Sequence, residues 1–178
     1  MKDYNIIIAG FGGQGVLFAG RVMTLAGMLD GKEVSWLPSY GPEMRGGTAN
    51  CSVCISERPI GSPLVTSPDI LVTMNRPSFD KFIDTVAPGG IVFADTSFIE
   101  KDSCTRTDIK AHFFPFTRIS NDEGLPGLAS IIMLGKMLKG TAFSTAEAVI
   151  QAIKESTPQR NRHLILPNIR ALELGMAL

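Results

Sequence analysis

The opening stretch of the chain restricts the fold more than any other. Tyr4 to Ala9 (YNIIIA) is a short, continuous, β-branched apolar run, the pattern of a strand buried on both faces of a parallel sheet. It passes directly into Gly10-Phe11-Gly12-Gly13-Gln14-Gly15 and then into Val16 to Leu29, whose clearly polar side chains are Arg21 and Thr24. Strand, glycine turn and helix in immediate succession predict a β–turn–α unit whose helix lies back over a sheet. A helix apolar on nearly all sides must be covered on nearly all sides. The sheet can cover one face; something else must cover the other. Gly20 and Gly27 are seven apart, so they share a face and allow a close backbone approach there.

The rest of the chain alternates. Further strands are predicted at Glu33 to Leu37, Thr48 to Ile55, Ile70 to Met74, Ile91 to Asp95 and Ala111 to Phe116. Helices are predicted at Ser78 to Val86 behind Pro77, Leu128 to Leu138, Ser144 to Glu155, and Asn168 to Leu178 behind Pro167. The helix at Ser144 opens with a capping box, Ser144 at the cap and Glu147 at the third helical position. Residues 59–68 and 96–109 carry no clear pattern. With no internal repeat or linker, this alternation predicts an α/β fold. The expected form is a three-layer α/β/α Rossmann-like sandwich with a largely parallel (mixed) sheet, residues 1–178 forming a single domain.

Composition narrows the function classes. A formal net charge of zero and a charged fraction of 19% give no electrostatic case for nucleic acid. No uninterrupted apolar run reaches the roughly 18 residues of a membrane span. The start, Met1-Lys2-Asp3-Tyr4, enters a strand without a signal-peptide pattern, which predicts a cytoplasmic protein with no membrane partner. Cys51 and Cys54 form a CxxC, but residues three apart in a strand point to opposite faces, so they read as separate packing residues. Cys104 is isolated, and three cysteines cannot supply a four-thiolate cluster alone. His112 lies in a strand beside Phe113 and Phe114, and His163 lies among Arg160 and Arg162. Neither histidine has a carboxylate or cysteine at metal spacing, so neither is assigned a catalytic or metal role.

The glycine turn matches GxGxxG between strand and helix. In that arrangement Gly10 permits the tight turn, Gly12 lets backbone approach a ligand or another chain, and Gly15 lets the helix pack near the strand. Gly13 and Gln14 complete the turn, and the helix start offers free N–H groups to an anion. An NAD site would need an acid at the end of the second strand. That strand ends Ser35-Trp36-Leu37-Pro38-Ser39, with Asp30 and Glu33 at its opening and no arginine nearby for NADP. No Gly-Lys-Ser/Thr follows the turn, so it is not a P-loop. The open readings are an architectural turn, a docking element for a partner, or an anion or phosphate site.

Between the second and third strands lies Pro38-Ser39-Tyr40-Gly41-Pro42-Glu43-Met44-Arg45-Gly46-Gly47. The prolines stiffen it, and Gly41, Gly46 and Gly47 permit positive φ. A stiff loop presenting Tyr40, Glu43 and Arg45 is a candidate recognition surface. Arg45 could fork onto a ligand carboxylate or phosphate, or onto a carboxylate of this chain or a neighbour. The GFGGQG turn, the later YGPEMRGGTA, the strand ending Ile55-Ser56 and the following Pro59-Ile60 together resemble the gamma subunit family of 2-oxoacid:ferredoxin (or acceptor) oxidoreductases. The resemblance covers almost the whole chain, with no major departure from the pattern.

That resemblance implies oxidative decarboxylation of a 2-oxoacid to an acyl-CoA with reduction of ferredoxin. The expected order of substrates is 2-oxoglutarate, then branched-chain 2-oxoacids, then pyruvate. It implies a subunit role beside alpha, beta and delta chains, and no activity for the chain alone. Those partners would hold thiamine diphosphate, Mg and Fe-S clusters, coenzyme A would bind in the complex, and ferredoxin would be reached through it. This chain is expected to bind none of these cofactors alone and to carry no catalytic acid, base or nucleophile. Instead it would complete the assembly, helping to wall the active site or the coenzyme A channel. Arg160 and Arg162 read as a solvated or subunit-facing surface, or as a contact to a coenzyme A phosphate. An isolated chain could pair with a second copy of itself. The alternative is a stand-alone nucleotide- or anion-binding Rossmann-like module.

Overall fold

The computed structural model describes residues 3–39 and 48–178. In chain order its elements are β1 (Tyr4–Phe11), α1 (Val16–Leu29), β2 (Glu33–Ser39), β3 (Thr48–Ser56), β4 (Ile70–Thr73), α2 (Arg76–Phe82), β5 (Ile91–Asp95) and β6 (Lys110–Phe114). They are followed by α3 (Phe116–Asp122), α4 (Ala129–Thr141), α5 (Ala146–Ser156) and α6 (Ile165–Ala177). The six strands form one sheet in the order β2-β3-β1-β4-β5-β6. β1, β4, β5 and β6 pair in parallel, whereas β3 runs antiparallel to both β1 and β2. The expected α/β sandwich on a mixed, largely parallel sheet is therefore the observed one.

Strand alternation sorts the core into two halves. Ile6, Ile8, Cys51, Val53, Ile55, Val72 and Phe93 face the larger half, under α1, α4, α5 and α6. Ile7, Ala9, Cys54, Leu71, Val92 and Ala94 face the smaller half, under α2, Val65 and Ile99. The two cysteines of the CxxC thus fall in different clusters, and both are free thiols. Burial pushes the Cys51 thiol up to about 12, so it stays protonated and inert.

The first helix behaves as its composition requires. Gly20 and Gly27 press against the β2–β3 hairpin: a Cβ on Gly20 would strike the Cys51 sulfur, and one on Gly27 would meet Val34 and Ile55 at 3.0 and 3.2 Å. The opposite face is covered by α5, which belongs to the same chain. The junction between the two helices is hydrogen-bonded. The Asp30 carboxylate, just past the end of α1, accepts from the Ser144 hydroxyl at 2.6 Å, the Thr145 N–H at 3.0 Å and the Thr145 hydroxyl at 2.9 Å. Thr145 is the N-cap of α5, its hydroxyl accepting from the Ala148 N–H. The cap is therefore Thr145 rather than Ser144, Ala148 rather than Glu147 falls at the third helical position, and the expected capping box does not form.

Partial desolvation pushes the Asp30 carboxyl up, but the bonds from Ser144 and Thr145 outweigh it and hold the group below the usual carboxylate range. Its contribution is therefore complete above the unfolded-state value of about 3.9 and is lost as pH falls through the folded-state value. Asp30→Ala is expected to lower stability by about 1–2 kcal/mol at neutral pH. Urea unfolding at pH 7 and pH 3 checks this: the gap from wild type should narrow at the lower pH. A gap of equal size at both would show that the carboxylate charge is not what secures the junction.

Other boundaries differ from expectation for local reasons. α2 begins at Arg76 rather than Ser78, because the Asn75 side chain caps it by accepting from the Ser78 N–H at 2.8 Å. Its tail, Ile83–Thr85, tightens into a 3-10 turn. β6 ends at Phe114, and Pro115 starts α3, a short helix that the pattern of residues 111–122 does not announce. Pro167 lies inside the first turn of α6, where its missing N–H has no partner to lose. Among the described residues, no helix is long and apolar enough to cross a membrane.

Candidate functional site

Four parallel strands deliver their carboxyl ends to one edge of the sheet, where open α/β sheets place their sites. The turn after β1 lies there. Gly13 and Gly15 adopt φ of 91° and 77°, which explains glycine at both positions. The other assigned glycine roles shift. Gly10 is not the turn residue; it belongs to β1, and a Cβ there would lie 2.8 Å from Gln14 Oε1, 2.9 Å from Val16 and 3.0 Å from Met74. Gly15 packs its helix start not on the strand but on α4, where a Cβ would meet the Ser130 hydroxyl at 2.6 Å. Gly12 is exposed on the rim.

Gln14 holds the turn to the next strand. Its side-chain oxygen accepts from the Phe11 N–H at 2.7 Å and from Asn75 Nδ2 at 3.3 Å, while its Nε2 donates to the Met74 carbonyl at 3.0 Å. That amide thus braces the turn against the residues that follow β4.

Two hollows flank the turn. One, of about 320 Å³, is lined by Phe11, Gly12, Gly13, Val16, Phe18 and Ala49 and is largely apolar. The other, of about 210 Å³, lies over the carboxyl ends of β1 and β4, between Gly13, Gln14, Met74, Phe98, Thr117 and Gly127. α1 and α4 both begin beside it, and neither start is capped by a side chain. Phe98 stands half-exposed at its mouth.

Asp95 secures this edge from below. It is fully buried at the end of β5 and accepts from the Ser97 N–H at 2.9 Å, the Thr117 N–H at 3.0 Å and the Thr117 hydroxyl at 2.5 Å. Asp95, Thr117 and Ser130 belong to no motif of the sequence. The available signal was an acid closing an otherwise apolar strand, since a buried carboxylate needs donors close by.

Of the loop candidates, Tyr40, Gly41, Glu43, Arg45, Gly46 and Gly47 fall outside the described residues. Their described neighbours do bear on the site. Thr48 pairs with Phe11 and Asn50 with Ser39, so both strand ends that flank the loop lie at the same edge as the glycine turn. The topology also explains the missing acid of an NAD site. β3 occupies the place beside β1 where a dinucleotide-binding unit has its second strand, and it runs the opposite way.

The histidines lie apart from this edge. His112 stacks on Phe93, with ring centroids 5.1 Å apart, and burial together with Lys136 and Lys110 pushes its pKa down. His163 is exposed beside Arg162. Among the described residues, no group of three or more His, Cys, Asp or Glu could hold a metal ion.

Comparison with known proteins agrees with this geometry. A family model described as pyruvate ferredoxin/flavodoxin oxidoreductase matches residues 5–178. The chain is 40% identical over 157 residues to the 2-oxoglutarate synthase subunit KorC of Methanocaldococcus jannaschii, covering 87% of this chain and 84% of that one. It is also 40% identical over 174 residues to the ketoisovalerate oxidoreductase subunit VorA of Methanothermobacter thermautotrophicus, covering 97% of this chain but only 36% of VorA. Among solved structures, the gamma subunit of a keto/oxoacid ferredoxin oxidoreductase from Geobacter sulfurreducens superposes with a TM-score of 0.83 at 27% identity, covering 98% of this chain and 96% of that one. The fold also recurs, with a TM-score of 0.86 at 19% identity, in 31% of a chain of the 2-oxoglutarate:ferredoxin oxidoreductase of Magnetococcus marinus.

Proposed function

The chain belongs to the pyruvate ferredoxin/flavodoxin oxidoreductase family, and from that premise we propose that it is the gamma-type subunit of a multi-subunit 2-oxoacid:ferredoxin oxidoreductase. In this reading residues 1–178 form one domain, inactive alone, that completes an assembly of alpha, beta and delta chains. Those chains hold thiamine diphosphate with Mg and the Fe-S clusters, and the thiamine cofactor supplies the electron sink for decarboxylation. The substrate is 2-oxoglutarate or a branched-chain 2-oxoacid, the two classes named for the KorC and VorA relatives.

The observation that carries the proposal is the design of the carboxyl edge. A glycine turn braced by Gln14, two uncapped helix starts and the strand ends at Ser39 and Thr48 meet there. The only buried carboxylate of that edge among the described residues is tied to donors of its own chain. Such an edge can position backbone N–H groups and wall off solvent, and among its described residues the buried carboxylate is held by donors of its own chain. That suits a subunit closing a site whose chemistry is supplied elsewhere, including the channel for coenzyme A.

Affinity purification of this chain from its native cells tests the proposal. The eluate should contain larger chains and should reduce methyl viologen when given coenzyme A and 2-oxoglutarate or 2-oxoisovalerate. Omitting coenzyme A should abolish that activity. Recovery of a lone chain without activity, under conditions that preserve such complexes, would return the turn to the reading of a stand-alone anion-binding module.

A further inference from the structure

A groove of about 690 Å³ runs between the Gly124–Leu128 segment and the first turn of α6. Its walls are Leu125, Pro126, Leu128, Leu164, Leu166 and Pro167, and Leu166 leaves 76% of its surface in water. An apolar trough of this kind with a leucine standing free at its lip is what a protein keeps for a partner.

The charge at one end of the groove says what kind of partner fits. The 3-10 turn Gln159–Leu164 feeds directly into the groove wall at Leu164 and carries Arg160, Arg162 and His163, all exposed. From Ser156 to Leu172 the sequence contains no acidic residue. Among the described residues neither Arg160 nor Arg162 forms an ion pair, whereas Arg170, on the groove itself, is already paired with Glu123 at 3.1 Å. A chain with zero net charge thus concentrates unneutralised cations beside an apolar groove. The complementary surface is apolar where it meets Leu164 and Leu166 and acidic where it meets Arg160 and Arg162.

We propose that this groove docks an acidic, amphipathic segment of a partner subunit, with apolar side chains seated between Leu125 and Leu166 and carboxylates on Arg160 and Arg162. The inference rests on the subunit reading above and names the surface that reading leaves open. Guanidinium forks suit carboxylates in a partly dry rim, and they add orientation as well as attraction.

The test measures assembly of the full-length chain with the companion subunits purified from the same complex, by titration with light-scattering or interferometric readout. Leu166→Asp and the double change Arg160→Glu with Arg162→Glu both alter exposed side chains, so circular dichroism and thermal melting should match wild type. Each is expected to weaken assembly at least tenfold, as anchor residues and fully engaged charges do. Wild-type affinity should fall with added salt, and the double charge reversal should flatten that dependence. If wild type assembles and neither variant weakens it, the docking inference is overturned while the subunit reading stands. Weakening by Leu166→Asp alone overturns the acidic character of the partner, and weakening by the charge reversal alone overturns the apolar seat. Self-association of wild type in sedimentation, abolished by Leu166→Asp, would make a second copy the occupant and overturn the proposal. A wild-type chain that assembles with nothing withdraws the subunit reading itself.

Discussion

Gly175→Ala is expected to lower stability by about 3 kcal/mol or more, the upper part of the range for overpacking a core. α4 and α6 approach each other through two reciprocal glycines. A Cβ on Gly175 would strike the Ile132 carbonyl oxygen and lie 2.8 Å from its carbon and 3.0 Å from the Lys136 nitrogen. A Cβ on Gly135 would strike the Leu172 carbonyl oxygen and lie 3.0 Å from the Met176 nitrogen. The obstructing atoms are backbone, so no side chain can rotate away, and the helices themselves must separate. Separation would also loosen Ile132, Ala171 and Leu172, which are fully buried at this contact. Alanine's better helix propensity returns at most about 1 kcal/mol. Urea unfolding of Gly175→Ala, Gly135→Ala and the double variant provides the check. The double variant should lose less than the two singles added, since one separation relieves both clashes. A single variant as stable as wild type would mean that the helices do not pass this closely.

Asp95→Ala is expected to lower stability by about 2 kcal/mol, because it takes the acceptor of two backbone N–H groups and a hydroxyl from a fully buried position. Thr117→Val removes only the hydroxyl donor and should lower it by about 1 kcal/mol. The consequence extends to function. The Thr117 N–H bonds bring the start of α3 against the end of β5, and Thr117 lines the hollow beside Gly13. In the proposed complex, an Asp95→Ala chain that still folds should therefore assemble more weakly. Chemical denaturation and the assembly titration are read separately, so a chain as stable as wild type would show that Ser97 and Thr117 find other acceptors.

What the sequence determined by itself is the set of elements whose signal is local. β1 is legible because Ile6 to Ala9 is apolar on both faces, and the turn because glycine recurs between strand and helix, although the structure puts the positive φ at Gly13 and Gly15 rather than at Gly10. The close approach of α1 followed from the spacing of Gly20 and Gly27, and the separation of Cys51 from Cys54 followed from strand alternation. The family was legible in two motifs, the turn and the loop.

Only the tertiary structure decided what depends on contacts between distant residues. The reversal of β3 between β1 and β2 is a matter of pairing, which the strands' own composition does not encode. The cap of α5 falls on Thr145 rather than Ser144, at a junction that Asp30, 114 residues from Ser144, ties together through both hydroxyls. The coverage of α1 by α5, the packing of Gly15 on Ser130 and the passage of α4 over α6 are likewise long-range. Local propensity and periodicity act within a few residues, whereas a buried polar group or a glycine contact is satisfied by whichever part of the chain the fold brings within reach.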